Sequence, residues 1–302
     1  MIYDILIVGS GPAGITASIY AARSQKSVLV LEKQAFGGLI INSPKIENYP
    51  GFNSISGLEL ADKFVVQAMD LGVGFEFDEI LKVKKENDLY KLTGEYNEYL
   101  GKTLVIATGS KHRKLNLENE DNLTGHGISY CAVCDGPFYK GQDVVIVGGG
   151  NSAMQEAILL SSYCTSVTMV QNIEKLTGES SSYETIKNTP NIKVLYNKNV
   201  IKLNGDKNLE SIVIEDQKTK EQEVINTKSV FVAIGQVANN DVFKEICKLD
   251  HNGFIITNEL CEVNNEGVYA AGDCRQKRIR QVSTAISDGT IAAVRAIEYL
   301  EK

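Results

Sequence analysis

No stretch of the chain approaches the roughly 18 consecutive apolar residues that cross a membrane, so no membrane span is expected. No secretory leader is expected either. Met1-Ile2-Tyr3-Asp4 runs straight into the apolar Ile5-Leu6-Ile7-Val8, and a cytoplasmic protein is expected. There is no basic surplus: the formal net charge is -7, which argues against nucleic acid as a partner. Cysteine is too sparse for a disulfide scaffold, at six in 302 residues. Four of these, Cys164, Cys247, Cys261 and Cys274, are scattered and read as small buried hydrophobes. Histidine is limited to His112, His126 and His251, and arginine is missing between Arg113 and Arg275. What is left is ordinary for a globular protein, 43% hydrophobic and 23% charged, in a chain long enough for two domains.

The other two cysteines stand in Cys131-Ala132-Val133-Cys134-Asp135-Gly136. Cysteines three positions apart can close and reopen a small disulfide. The same spacing is a common zinc half-site, so the pair alone decides nothing. A structural zinc site needs four ligands, and no second CxxC exists in this chain. The flanking sequence favours redox chemistry.

Ile5–Val8 reads as a buried parallel strand. Gly9-Ser10-Gly11-Pro12-Ala13-Gly14 follows, and then a good helix from Ile15. Strand, GxGxxG and helix make the phosphate turn of a dinucleotide fold. Gly9 permits the tight turn, Gly11 lets a pyrophosphate approach, and Gly14 lets the helix pack close. A second strand, Ser27–Leu31, ends at Glu32, which lies 23 positions after Gly9, where a carboxylate holds ribose hydroxyls. Residues 36–52 read as a long loop over a ligand, Gly57–Gly72 as an amphipathic helix, and 75–84 and 89–93 as strands. Thr103–Gly109 is another buried strand with a glycine turn.

The pattern then repeats. Val144–Ala157, with Gly148-Gly149-Gly150-Asn151-Ser152-Ala153, matches Ile5–Ser18, and Ser229–Gly235 matches Thr103–Gly109. Gly267–Asp273 has no counterpart in the second copy and would complete the first, and 283–300 is a closing helix. The expected fold is α/β: two dinucleotide-binding (Rossmann-like) three-layer domains, the second inserted in the first. Residues 1–112 plus 246–302 form the first domain and 113–245 the second.

These motifs, in this order and over essentially the whole length, resemble the low-molecular-weight thioredoxin reductases. The resemblance is carried by Gly9–Gly14, Glu47-Asn48-Tyr49-Pro50-Gly51-Phe52, Ala107-Thr108-Gly109, Cys131–Gly136, Gly148–Ala153, Ala271-Gly272-Asp273, and Arg280-Gln281 with Thr284-Ala285. It implies a homodimeric flavoprotein with FAD in the first domain and a mobile second domain that carries the CxxC. By that resemblance Gly9, Gly11, Pro12, Ala13 and Gly14 hold the FAD pyrophosphate and Glu32 its adenosine ribose. Gly38, Asn48, Ala107, Thr108, Gly109, Gly272, Asp273, Arg280 and Gln281 line the rest of the site. It also implies that Cys134 faces the flavin, that Cys131 attacks the disulfide of thioredoxin, and that Asp135 shuttles the proton. Where the family reads Gly-Gly-Gln in the first loop, this chain has Gly37-Gly38-Leu39.

The second nucleotide site departs further. The counterpart of Glu32 is Gln171, 23 positions after Gly148, in Val170-Gln171-Asn172-Ile173-Glu174-Lys175-Leu176. An acid there would suit NADH and arginines would suit NADPH; the chain offers neither. Residues 115–245 carry 11 lysines against 17 acids, which repels an anionic dinucleotide. The chain is thus most similar to the ferredoxin-dependent flavin thioredoxin reductases, which lack the NADPH signature. Arg275-Gln276-Lys277-Arg278-Ile279-Arg280 is a candidate dock for acidic ferredoxin, or else a solvated face. Three other readings remain open: an NADPH enzyme with an atypical pocket, a flavin dithiol oxidase, and a non-enzymatic redox sensor.

Overall fold

A computed structural model describes residues 1–43 and 45–302; Pro44, in the expected ligand loop, lies outside the described residues. The chain divides into two compact units, Met1–Lys111 with Val237–Lys302, and His112–Gln236.

Unit 1 opens with β1 (Ile2–Val8), α1 (Pro12–Arg23) and β2 (Val28–Glu32). Ile5, Leu6 and Ile7 are fully buried, as a strand covered on both faces requires. Each such side chain contributes roughly 1.5–3 kcal/mol by leaving water. Pro12 sits in the first turn of α1, where its missing N–H costs nothing. Next come α2 (Gly57–Asp70), capped by the Ser56 hydroxyl, and β3 (Gly74–Phe77). The expected strand over 75–84 is in fact β3 and β4 (Ile80–Glu86), broken at Asp78. The Asp78 carboxylate turns aside to accept the amides of Glu95, Tyr96 and Asn97. After β5 (Leu89–Gly94), the long β6 (Glu98–Ile106) pairs antiparallel with β5 through its first half and lies parallel to β1. The strand order is β3-β2-β1-β6-β5-β4.

The chain passes between the units through β7 (Lys111–His112) on the way out, and unit 2 begins. Its α3 (Glu120–Leu123) and β8 (Ile128–Ser129) lead to α4 (Ala132–Asp135), the short helix of the cysteine pair. The repeat follows as β9 (Asp143–Val147), α5 (Asn151–Ser161) and β10 (Ser166–Val170). Then come α6 (Ser180–Lys187), β11 (Ile192–Leu195), the antiparallel meander of β12 (Lys198–Asn204), β13 (Ser211–Asp216) and β14 (Gln222–Asn226), and β15 (Val230–Val232). The parallel sheet is ordered β11-β10-β9-β15-β8. The return strand β16 (Gln236–Val237) pairs with β7.

Residues 237–245, expected in the insert, belong to unit 1. The reason is packing: Phe243 is fully buried among unit 1 residues such as Leu104 and Ile106. The chain ends with β17 (Val268–Ala270), parallel to the second half of β6, and α7 (Val282–Leu300). The sequence pattern left β17 without a counterpart in the second copy, and this needs correction. β8 stands beside β15 as β17 stands beside β6. It reaches that place from the N-terminal side of its unit, and at two residues it is too short to show a periodicity.

Candidate active site: a glycine cradle and a dithiol

In unit 1 the phosphate turn is held so closely that side chains cannot fit. A Cβ on Gly9, whose φ is +105°, would lie 2.2 Å from the Ala107 carbonyl oxygen, and one on Gly14 would lie 1.9 Å from the Gly9 oxygen. Around Gly11 the space is open, the nearest heavy atom to such a Cβ being the Gly38 Cα at 4.0 Å. Gly272 reaches the same turn, with its missing Cβ 2.8 Å from the Ala13 Cβ. The sheet thus brings Gly9–Gly14, Gly38, Ala107 and Gly272 to one place, at the carboxyl ends of β1, β6 and β17. The N-terminus of α1 has no side-chain cap, so its first amides are left for an anion.

The other expected cofactor residues fall around this turn. Glu32 sits on it: one carboxylate oxygen accepts the Ser10 amide and hydroxyl, each at 2.9 Å, and the other accepts the amides of Lys33 and Gln34. The Asn48 side chain donates to Gln281 at 3.1 Å, and Gln281 is the N-cap of α7 with a reciprocal bond to Thr284. The Thr108 hydroxyl donates to Asn240 at 2.8 Å. Asn240, fully buried, donates in turn to the carbonyls of Gly253 and Cys274, a role no local pattern indicated. Gly109 holds a φ of +70° just beyond β6.

Two buried atoms in this region lack hydrogen-bond partners: Asp273 Oδ1 and Arg280 Nε. The Lys277 ammonium is 4.0 Å from Asp273, too far for a hydrogen bond. Burial pushes the Asp273 carboxyl up, against the pull of Lys277 and Arg280, and Arg280 lies over the Phe254 ring at 4.3 Å. Unsatisfied buried polar atoms are costly, and here they sit beside an open glycine cradle and an uncapped helix end. These residues fit a bound dinucleotide such as FAD.

The basic run does not form the cationic face that a dock requires. Arg275 and Lys277 both turn onto Asp288 of α7, each at 2.9 Å, with side chains 14% and 10% exposed. Arg280 is half-buried, which leaves Arg278 as the exposed cation of the four.

In unit 2, Cys131 and Cys134 form a disulfide with Cα atoms 5.3 Å apart. Cys131 is the N-cap of α4, and its sulfur accepts the Cys134 amide at 3.2 Å. In the reduced protein that donor favours a thiolate on Cys131. Asp135 closes the same turn. Its Oδ2 accepts the Ser129 hydroxyl at 2.6 Å, and the Ser129 oxygen accepts the Cys131 amide at 3.1 Å. Burial pushes Asp135 up, the Ser129 bond opposing, so a proton is held more readily two hydrogen bonds from the Cys131 amide. Ser129 was invisible in the sequence because it precedes the motif on a two-residue strand. The four other cysteines are free and buried, as expected, and the described residues hold no cluster that could bind a metal ion.

The second glycine turn keeps the frame of the first with different contents. Gln171 takes the place of Glu32 and is 5% exposed. Its Nε2 donates to the Lys175 carbonyl, its Oε1 accepts the Asn172 amide, and its amide lies across Gly149, 2.4 Å from where a Cβ would be. Thr177 N–H closes onto the Gly149 oxygen at 2.7 Å, as Gly37 N–H closes onto Ser10. Asn151 accepts the Glu179 amide. Glu174 and Glu179 are exposed along this loop.

Comparison with known proteins follows the same lines. Residues 3–289 match the pyridine nucleotide-disulphide oxidoreductase family. The chain is 42% identical over 298 residues to a protein of Clostridium pasteurianum described as a 34.2 kDa protein in the rubredoxin operon, covering 98% of this chain and 97% of that one. It is 36% identical to the thioredoxin reductase of Bacillus subtilis, over 100% of this chain and 96% of that one. The crystal structure of thioredoxin reductase from Streptococcus pyogenes superimposes with a TM-score of 0.95 at 37% identity, covering 99% and 98% of the two chains. A glycine cradle with unmet polar groups, a closed CxxC dithiol beside a buried acid, and these full-length likenesses agree: the chain belongs to the pyridine nucleotide-disulphide oxidoreductase family, among its thioredoxin reductases.

Proposed function

We propose that this thioredoxin–disulfide reductase takes its electrons from a reduced iron–sulfur protein of the ferredoxin type rather than from NADPH or NADH. The observation that carries the reading is the state of Gln171. At the end of the second strand of a dinucleotide domain, an acid recognises the ribose and an arginine the 2′-phosphate. Here a buried amide spends both its donor and its acceptor on its own loop. No arginine stands between Arg113 and Arg275, and the nearby charges include Glu174 and Glu179. Unit 2 also has no orphaned polar atom at its glycine turn, among the described residues.

In unit 1 we assign Gly9, Gly11, Pro12, Ala13 and Gly14 to the pyrophosphate of FAD, Glu32 to its adenosine ribose, and Gly38, Asn48, Ala107, Thr108, Gly109, Gly272, Asp273, Arg280 and Gln281 to the remainder. Bound there, FAD supplies the electron pair that opens the disulfide. Opening the Cys131–Cys134 bond takes two electrons and two protons, and Asp135 is the proton carrier. Cys131 then attacks the disulfide of thioredoxin, Cys134 displaces the mixed disulfide, and thioredoxin leaves as the dithiol while the Cys131–Cys134 bond closes again. A homodimer in the cytoplasm accompanies this reading; sedimentation velocity tests the dimer.

The decisive experiment is anaerobic reduction of the purified flavoprotein by NADPH, NADH and reduced ferredoxin in parallel, followed by flavin absorbance. Ferredoxin is expected to bleach the flavin while micromolar pyridine nucleotides leave it oxidised. Rapid bleaching by micromolar NADPH overturns the donor assignment and restores an ordinary NADPH enzyme.

A further inference from the structure

Unit 2 has its own unmet polar atoms, and two of them lie beneath the dithiol. They are Glu156 Oε2 and the Tyr163 hydroxyl. Glu156 projects from α5, and its carboxyl accepts the amide hydrogen of Ala132. Ala132 is fully buried between the two cysteines, at the first turn of α4. The Tyr163 hydroxyl lies against Gly136, just past Asp135: a Cβ built on that glycine would be 2.2 Å away. Neither group has a part in the chemistry described so far.

A carboxylate with a buried, unpartnered oxygen is costly when charged. Burial pushes Glu156 up to about 7, with the Ala132 amide pulling the other way. The other ionisable groups packed around this floor are Asp135, Tyr139, Tyr163 and Cys164, all pushed up by burial, together with the two sulfurs. The phenols and Cys164 therefore stay neutral near neutral pH, and two carboxyls are left to respond to the redox state of the pair.

We infer that Glu156 is a positioning residue that couples a proton to the dithiol: its carboxyl binds a proton when the Cys131–Cys134 disulfide is reduced and releases it on reoxidation. The inference rests on the dithiol passing electrons to thioredoxin. Reduction breaks the S–S bond with two electrons, supplied by the electron donor of the thioredoxin–disulfide reductase reaction proposed above. One proton goes to one sulfur, and the other sulfur is left as a thiolate. That new negative charge strengthens the hold of Glu156 on a proton, so the second proton resides on the carboxyl. On reoxidation both protons leave with the two thiols of reduced thioredoxin, and Glu156 returns to its carboxylate. The Ala132 amide links the two sites: it points at the carboxyl from the same helical turn in which the Cys134 amide donates to the Cys131 sulfur.

The test is the pH profile of iodoacetamide alkylation of the anaerobically reduced holoenzyme, in wild type, Glu156→Gln, Glu156→Asp and Asp135→Asn. Wild type is expected to rise in two steps, because thiol and carboxyl compete for one proton. Glu156→Gln keeps an acceptor for the Ala132 amide, so a purely structural role leaves the profile unmoved. It is expected instead to collapse to one step and to react roughly three- to tenfold faster just above neutral pH, as removal of a neighbouring charge predicts. Glu156→Asp should restore two steps, and Asp135→Asn should retain them. Superimposable wild-type and Gln profiles overturn the proposal. A one-step wild-type profile also overturns it, without any variant. Thioredoxin turnover on the same preparations keeps the two readings apart: turnover with superimposable profiles removes only the role of Glu156, whereas two steps without turnover removes thioredoxin as the substrate.

Discussion

The two glycine turns are built on one frame and hold different contents. In each, a strand, a glycine turn and an uncapped helix are followed by a second strand whose last side chain folds back onto the turn. In unit 1 that side chain is Glu32, and the polar atoms left unmet, on Asp273 and Arg280, belong to the expected cofactor site. In unit 2 the side chain is Gln171, sealed onto its own loop, and, among the described residues, two of the three unmet atoms lie beneath the cysteine pair. Unmet polarity marks where a fold keeps its chemistry. The backbone frame is common to both units, and in unit 2 the unmet atoms of Glu156 and Tyr163 lie by the cysteine pair that follows β8 rather than at the glycine turn.

The sharpest way to break this comparison is to disable one end at a time. Cys134→Ser should reduce thioredoxin turnover to background while bound flavin, read at its visible absorbance, is unchanged. Gly14→Ala drives a methyl into the Gly9 carbonyl, and overpacking of this kind costs roughly 1–3 kcal/mol. The purified variant should have lost its flavin. Asp135→Asn should retain flavin and lower thioredoxin turnover by roughly 10²–10⁴, the range of a general acid–base group; turnover within twofold of wild type would remove Asp135 from the proton path.

Smaller effects sharpen the contrast. Gly149→Ala meets only the end of the Gln171 side chain, which must give up its loop contacts to move, so it should cost roughly 1–3 kcal/mol and leave turnover and flavin content intact. Loss of turnover would show that the second turn still holds a ligand. Glu156 adds a pH signature. Its pKa is raised on folding, so its contribution to stability is complete below the ordinary carboxylate range and is lost as pH rises through about 7. Glu156→Gln should therefore raise the melting temperature at pH 8, by the equivalent of about 2 kcal/mol, and change it little at pH 4. Equal melting curves at both pH values would contradict the burial of that carboxyl.

Much of this was legible along the chain. The spacing of Gly9, Gly11 and Gly14 between two strands, its echo at Gly148–Ala153, and the CxxC are local patterns, fixed by steric demands within a few residues. Spacing within the repeat already placed Gln171 at the position where an acid or arginine decides a nucleotide. What the sequence could not disclose is which polar side chain meets which across the fold. Thr108 and Asn240 bond across 132 residues, Asp288 neutralises a basic run that looked like a dock, and residues 237–245 return to unit 1 because Phe243 is buried there. Glu156 is one polar residue on a helix; only the packing of α5 beneath α4 carries it to the Ala132 amide. Periodicity reports which face of an element is buried, whereas the partners on that face are set by layer packing between distant segments. The positions of Cys131, Cys134 and Asp135 were determined by sequence alone, whereas the contacts of Ser129 with Asp135 and of Glu156 with the Ala132 amide were decided by tertiary structure, because they join segments that no local pattern links.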